Sequence, residues 1–276
     1  VFVRAPRARA ARAVSRPGRE RAASREVTLA RNRVRFLDAL ILAAGLGTRL
    51  GEIGHEAPKA LLHVGGRTML EHVASRLVGA GVDRIVVNVH HHANRIARWL
   101  ETHDLGAEVI LSVEEERPLE TGGGLKRAAG LLRRDAPFFL YNVDVLSDMD
   151  LGAMWRAHRE SGALVTLVVS DRKSDRRLLF DDRGLMGRVD DTRGTRMEVR
   201  PPRGRPREWS FSGIHVVSED LPGRITEMGV FPILDVYLRL ASEGEWIVPH
   251  SIGDAAWFEV GTPERLEAAR SEWVGR

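Results

Sequence analysis

The chain has 276 residues and contains no cysteine, two tyrosines, and no apolar run approaching the roughly 18 residues that span a bilayer. Without cysteine there is no disulfide framework, no thiolate metal site and no cysteine nucleophile. The lack also fits a reducing compartment, so a cytoplasmic location is expected. No membrane span is expected either. Hydrophobic residues make up 43% and charged residues 29%, the balance of a globular chain with enough length for one sizeable core.

Acidic residues are scarce at the start. Residues 1–37 hold eleven arginines and two glutamates, so of the formal net charge of +4 the remaining residues carry −5. This Arg-rich segment has little apolar periodicity and is read as a disordered tail. An inert segment or an over-extended start is preferred to a targeting peptide or a nucleic-acid-binding arm, so no nucleic-acid partner is expected.

From residue 38 the pattern alternates strand and helix. "LDALILAAG" is a near-continuous apolar run, as in a strand buried on both faces. "TMLEHVASRLVGAG" places Met69, Leu70, Val73 and Leu77 at helical spacing. Further strands are expected at "VDRIVVNVH", "AEVILSVEE", "PFFLYNVDVL" and "ALVTLVVS", with helices between them. Such alternation implies right-handed βαβ crossovers. The fold expected is α/β, a Rossmann-like doubly wound mixed and mostly parallel sheet over residues 38–276. After about residue 171 the rhythm changes. "RLLFDDRGLMGRVD" reads as a hairpin, residues 192–208 as a loop, and together they form a small β-rich insertion.

"ILAAGLGTRL", residues 41–50, ends a strand in small residues and then supplies an arginine. Gly45 and Gly47, with Ala43 and Ala44 before them, let backbone N–H groups approach a phosphate closely. Arg49 adds a fixed charge with bidentate reach. The dinucleotide fingerprint fails because its third glycine would stand at Leu50, and no P-loop pattern occurs. An NAD-binding role is therefore disfavoured. Lys59, after Pro58, is a second cation close in sequence.

The ordered set "LAAGLGTRL" and "PKALLHVGGRTMLEHV" resembles the sugar-phosphate nucleotidyltransferase (NDP-sugar pyrophosphorylase) family. "ERPLETGGGL" is similar to its base-binding loop, "YNVDVL" to its metal-binding strand end, "FSGIHVV" to its sugar-side strand and "WFEVGTPERL" to its second metal motif. The similarity runs from about residue 38 to 270. It is nearest to the branch of N-acetylmuramate-1-phosphate uridylyltransferases and mannose-1-phosphate guanylyltransferase-like enzymes.

The resemblance implies transfer of a nucleotidyl group from an NTP, UTP first and GTP next, to a sugar 1-phosphate, with pyrophosphate released. Arg49 and Lys59 become the catalytic cations. Ala43, Ala44, Gly45, Gly47, Glu115, Gly122 and Gly123 become the nucleotide contacts, and Gly213 the sugar contact. Asp144 and Glu259 become ligands of Mg²⁺, a hard ion that takes carboxylate and phosphate oxygens. The nucleophile is already anionic, so no general base is required, and positioning and charge neutralisation carry the chemistry.

Three positions depart from the family pattern. Val143 stands where a glycine often precedes the metal Asp. Glu259 replaces an Asp, and the proline usual after Arg49 is absent from "RLGEIG". They keep open the alternative of a sugar-nucleotide-binding regulatory protein that has lost turnover. Three histidines at 90–92 read as a strand-end cluster, because consecutive side chains point in different directions. Asp148 and Asp150 suit helix capping. The oligomeric state is not legible.

Overall fold

The structure, a computed structural model, describes residues 37–273. The expected tail therefore lies outside the described residues, except for Leu37, which opens the first strand, β1 (Leu37–Leu42). Next come a short helix, α1 (Glu52–Glu56), the two-residue strands β2 (His63–Val64) and β3 (Arg67–Thr68), then α2 (Met69–Gly79), β4 (Val82–Val89), α3 (Ala93–Thr102) and β5 (Glu108–Val113). They are followed by α4 (Glu120–Ala128), β6 (Phe138–Asn142), β7 (Val145–Ser147), α5 (Leu151–Ser161) and β8 (Val165–Ser170). Strands β9 (Arg176–Asp181), β10 (Gly184–Asp190) and β11 (Thr195–Glu198) lead into the long β12 (Arg207–Val217). The last elements are α6 (Ile233–Ser242), β13 (Ile247–Ser251), β14 (Trp257–Glu259) and α7 (Pro263–Glu272).

Strands β5, β4, β1 and β6 lie side by side and parallel. Strand β12 runs antiparallel between β6 and β8, and β13 pairs parallel with β8. This is the mixed, mostly parallel sheet expected. Alternation along β1 explains why it is apolar at nearly every position. Ala39 and Ile41 face one layer with Leu70, Val73 and Leu77 of α2 and Ile96 of α3. Leu40 and Leu42 face the other with Leu125 of α4 and Val236 and Leu240 of α6. With helices on both faces, every β1 side chain is buried.

Helix α2 starts where its sequence says it should. Thr68 and Glu71 form a reciprocal capping box. Asp150 caps α5 through Ala153 N–H at 2.9 Å, whereas Asp148 accepts Ala256 N–H at 2.8 Å and so ties β14's approach to the loop after β7.

Two expectations need correction. Residues 192–208 are not all loop, because β11 adds a third strand to the β9–β10 hairpin. All four β11 residues are exposed, so no apolar alternation marked it. The triple glycine is not loop either, since Gly122, Gly123 and Gly124 lie within α4.

Of three buried histidines, His158 and His215 are held as neutral rings most strongly. His158 meets Thr166 Oγ1 at 2.9 Å and His215 meets Tyr237 Oη at 3.0 Å. Burial lowers their pKa to about 4 and about 3 from an ordinary 6.5. Below pH about 6.5 the unfolded chain takes up protons on these rings and the folded chain does not, so stability falls with pH. The expected cost is about 2 kcal/mol per ring at pH ~5. Urea midpoints measured between pH ~7 and ~5 check this, and a His158→Gln variant should show a shallower slope. A midpoint that does not move with pH would contradict it.

Candidate active site

The carboxyl ends of β1, β4 and β6 meet at one edge of the sheet, where doubly wound folds bind ligands. A cavity of about 220 Å³ opens there. Its floor is Leu42–Gly45, Asn88 and Asn142–Asp144, and one wall is Pro118, Glu120 and Thr121. Lys59 enters from the segment after α1. Ala43, Ala44, Gly45, Lys59 and Asp144, separated by up to a hundred residues in sequence, thus share one hollow.

The loop after β1 turns sharply. Gly47 has φ +69° and Gly51 φ +58°, the left-handed region that favours glycine. Leu50 N–H donates to Gly47 O at 2.9 Å, and Leu50 is buried against Val260 and Leu266. The turn is therefore anchored by an apolar plug while its glycine backbone stays exposed. Gly54, which the sequence reading did not single out, makes room for it: a Cβ there would lie 2.3 Å from Gly47 O. Gly54→Ala must displace the loop, and we expect about tenfold weaker NTP binding by calorimetry. Unchanged affinity would show that the loop does not hold the nucleotide.

Cations and carboxylates alternate beside the cavity. Lys59 Nζ lies 2.7 Å from Asp144 Oδ2, both side chains less than one-fifth exposed. Arg49 Nη2 lies 3.0 Å from Glu259 Oε1. Arg265, on α7, pairs with the other Glu259 oxygen. Antiparallel pairing of β14 with β7 sets Glu259 opposite Val145, and Val260 N–H donates to Asp144 O at 2.9 Å. This pairing sets Asp144, in the turn just before β7, beside the end of β14 that carries Glu259, although the two are far apart in sequence. Their donor set is two carboxylates, which fits a hard divalent cation shared with phosphate oxygens. Gly261 leaves space for the Arg49–Glu259 pair, since a Cβ there would meet Glu259 Oε1 and Arg49 Nη2.

The base-side residues are arranged differently from expectation. Glu115 lies outside the cavity, well exposed and 3.8 Å from Arg127. Its neighbour Glu114 is the buried one, accepting Asn88 Nδ2–H at 2.9 Å and Leu119 N–H at 2.8 Å. Glu114 thereby fixes the segment that carries Pro118 to Thr121. Three consecutive glutamates give no signal of which is buried. Gly122 and Gly123 do not line the cavity. Their N–H groups donate to Phe231 O at 3.0 and 3.3 Å, and a Cβ on Gly122 would lie 2.5 Å from the Phe231 ring. They let α4 pack closely, and the first turn of α4 does the lining. Glu120 there has φ +59°, a conformation few non-glycine residues hold. Thr121 Oγ1 accepts Ile233 N–H at 2.9 Å.

On the opposite side, Gly213 has φ +78° and abuts Asn142 and Val145. The three histidines diverge: His90 bonds Glu114 O at 2.7 Å, while the rings of His91 and His92 pack on each other. Val143 lines the cavity and donates its N–H to Leu42 O at 3.1 Å. The departure from glycine therefore leaves the backbone between β6 and β7 paired to β1.

Comparison with known proteins bears on this arrangement. The family model for nucleotidyl transferases matches residues 38–189, more than half the chain. N-acetylmuramate alpha-1-phosphate uridylyltransferase of Caulobacter vibrioides is 31% identical over 247 residues, covering 84% of this chain and 95% of that one. Mannose-1-phosphate guanylyltransferase of Mycobacterium tuberculosis is 30% identical over 240 residues, covering 86% and 65%. Among solved structures, UTP-bound UGPase from Acinetobacter baumannii superposes with a TM-score of 0.70 at 17% identity, covering 87% of this chain and 93% of that one. The inositol-1-phosphate CTP transferase of T. maritima gives 0.68 at 18% identity, covering 87% and 98%. At such identities the structural likeness speaks for the fold. The sequence matches, extending over nearly the whole of the Caulobacter enzyme, place this chain in the nucleotidyl transferase family, among the sugar-1-phosphate nucleotidyltransferases.

Proposed function

We propose that this chain couples an NTP, UTP in first place and GTP in second, to a sugar 1-phosphate in a Mg²⁺-dependent reaction. The observation that carries the proposal is the Lys59–Asp144 and Arg49–Glu259 arrangement around the glycine loop. The preference for UTP is supported by the 31% match to a uridylyltransferase over 95% of its length.

In this reading the glycine loop cradles the triphosphate with backbone N–H groups. An oxygen of the sugar phosphate attacks the α-phosphorus. A phosphorus–oxygen bond forms there as the bond to the β-phosphate oxygen breaks, and pyrophosphate leaves with the electron pair. No proton moves. Lys59 neutralises charge growing at the α-phosphate, and Arg49 steadies the β- and γ-phosphates that depart. Asp144 and Glu259 would hold Mg²⁺, which supplies charge neutralisation on the phosphates when bound. Glu259 is one methylene longer than Asp and can still offer a carboxylate oxygen.

The test is a matrix of pyrophosphate release. Four NTPs are crossed with N-acetylmuramate, mannose, glucose and N-acetylglucosamine 1-phosphates in Mg²⁺, beside Asp144→Asn. Release is expected with UTP and one sugar, and is lost in the variant. Silence in every cell despite NTP binding would overturn the proposal in favour of a non-catalytic binding protein.

A further inference from the structure

Arg172 stands two residues beyond the carboxyl end of β8, on the ligand-binding edge of the sheet. It is half-buried, and among the described residues no carboxylate pairs with its guanidinium at ion-pair distance. Nη1 donates to Ser170 Oγ at 2.7 Å and to Ser212 Oγ at 2.9 Å, and Nη2 donates to Phe211 O. The guanidinium carbon lies 3.8 Å from the centre of the Trp257 ring. Burial lowers its pKa to about 10, so it remains charged at neutral pH. Burial costs the cation its hydration, and the Glu259 carboxylate, beyond ion-pair distance, offsets only part of that cost. Such placement needs a reason.

The partners supply one. Strand β12 pairs Phe211 with Val169 and His215 with Leu167, so residues 212–214 bulge opposite a single residue of β8. Gly213 lies in this bulge and packs on Asn142 and Val145, beside Asp144. Ser212 is grasped twice, by Arg172 at its hydroxyl and by Trp257 Nε1–H at its carbonyl, 2.9 Å away. Trp257 and Glu259, two residues apart on β14, project to the same face of that strand. One guanidinium is thus stacked on the strand that carries Glu259 and bonded to the bulge that carries Gly213.

We propose that Arg172 is a positioning residue for the sugar 1-phosphate, holding the Gly213 bulge and the Glu259 strand as one unit through Ser212 and Trp257. The inference rests on the nucleotidyl transfer proposed above. The nucleotide side, formed by the glycine loop and the first turn of α4, touches this clamp through the Arg49–Glu259 pair, whereas Arg172, Ser212 and Trp257 bond to none of its residues. Damage to the clamp should therefore separate the two substrates.

The test uses the full chain with Arg172→Lys, Arg172→Met and Trp257→Phe. Lysine keeps the charge but loses the fork and the flat face that stacks on tryptophan. Phenylalanine keeps the face and loses the bond to Ser212. KM for the sugar 1-phosphate active in the matrix should rise about tenfold in Arg172→Lys and further in Arg172→Met, with the calorimetric Kd for the NTP within about twofold of wild type. Trp257→Phe should give a smaller rise of the same kind. Amide hydrogen exchange in residues 211–214 and 257–260 should quicken together in Arg172→Lys, while β1 and β4 stay protected. Equal losses of NTP and sugar binding, or unchanged exchange in both segments, would overturn the inference. If the wild-type chain releases no pyrophosphate in any cell, the nucleotidyl transfer reading fails. The exchange measurement then still decides whether Arg172 couples the two segments.

Discussion

Lys59→Ala is expected to lower kcat by about 10³-fold while the NTP still binds. The side chain is 13% exposed and bonded to Asp144, so its charge acts in a site where water screens little. Its removal takes away the cation nearest the carboxylate end of β6 and leaves the glycine loop intact. Asp144→Asn gives a sharper test because it moves two quantities in opposite directions. Turnover should fall by at least about 10²-fold, since a proposed metal ligand is lost. In metal-free buffer, however, NTP affinity should rise about threefold or more, because Lys59 no longer has to leave a carboxylate to reach a phosphate. Calorimetry in chelator with wild type and variant reads this directly. Weaker metal-free binding in Asp144→Asn would mean that the pair does not compete with phosphate.

Arg133→Ala should be strongly destabilising although it lies away from the site. Asp38 is 3% exposed on β1, and Arg133 meets it with both its backbone N–H and its Nε at 2.6 Å. The same guanidinium reaches Asp83 Oδ1 at 2.5 Å. These two carboxylates raise the Arg133 pKa above its ordinary value, although burial works against them. Truncation leaves Asp38 charged, buried and without its cation, which costs about 3–5 kcal/mol. For a chain of this size that is a fall in Tm of roughly 6–20 °C. Adding Asp38→Asn to the Arg133→Ala background should recover part of the loss, because the stranded charge is then gone. Urea unfolding of the three variants decides the matter. A double variant no better than Arg133→Ala would show that the damage lies in lost packing.

Several of these residues could be named from the chain alone, and some could not. The strand–helix order was legible because each element keeps its own apolar period, and Thr68–Glu71 and Asp150 are local signals that need no tertiary partner. Arg49, Lys59, Asp144 and Glu259 were legible through the resemblance of their surrounding motifs. That they pair crosswise was not, because the Lys59–Asp144 and Arg49–Glu259 bonds span 85 and 210 positions. Glu114 was hidden beside two identical neighbours. The glycines at 122–124 were expected in a loop through the resemblance, yet they are helical, and Phe231, Gly229 and Asn88 approach them too closely for a Cβ. Strand β11 was missed because an exposed edge strand has no buried face to pattern it.

The chain alone was enough for the doubly wound α/β class, for the glycine turn after the first strand and for naming the charged groups proposed for the site. These depend on local periodicity, on left-handed backbone that glycine permits, and on short motifs. The tertiary structure alone decided which glutamate is buried, which cation faces which carboxylate, and that Arg172 links the Gly213 bulge to β14. Those outcomes depend on strand register and on the approach of segments far apart in sequence. A one-residue change of register would send each of those side chains to the other face.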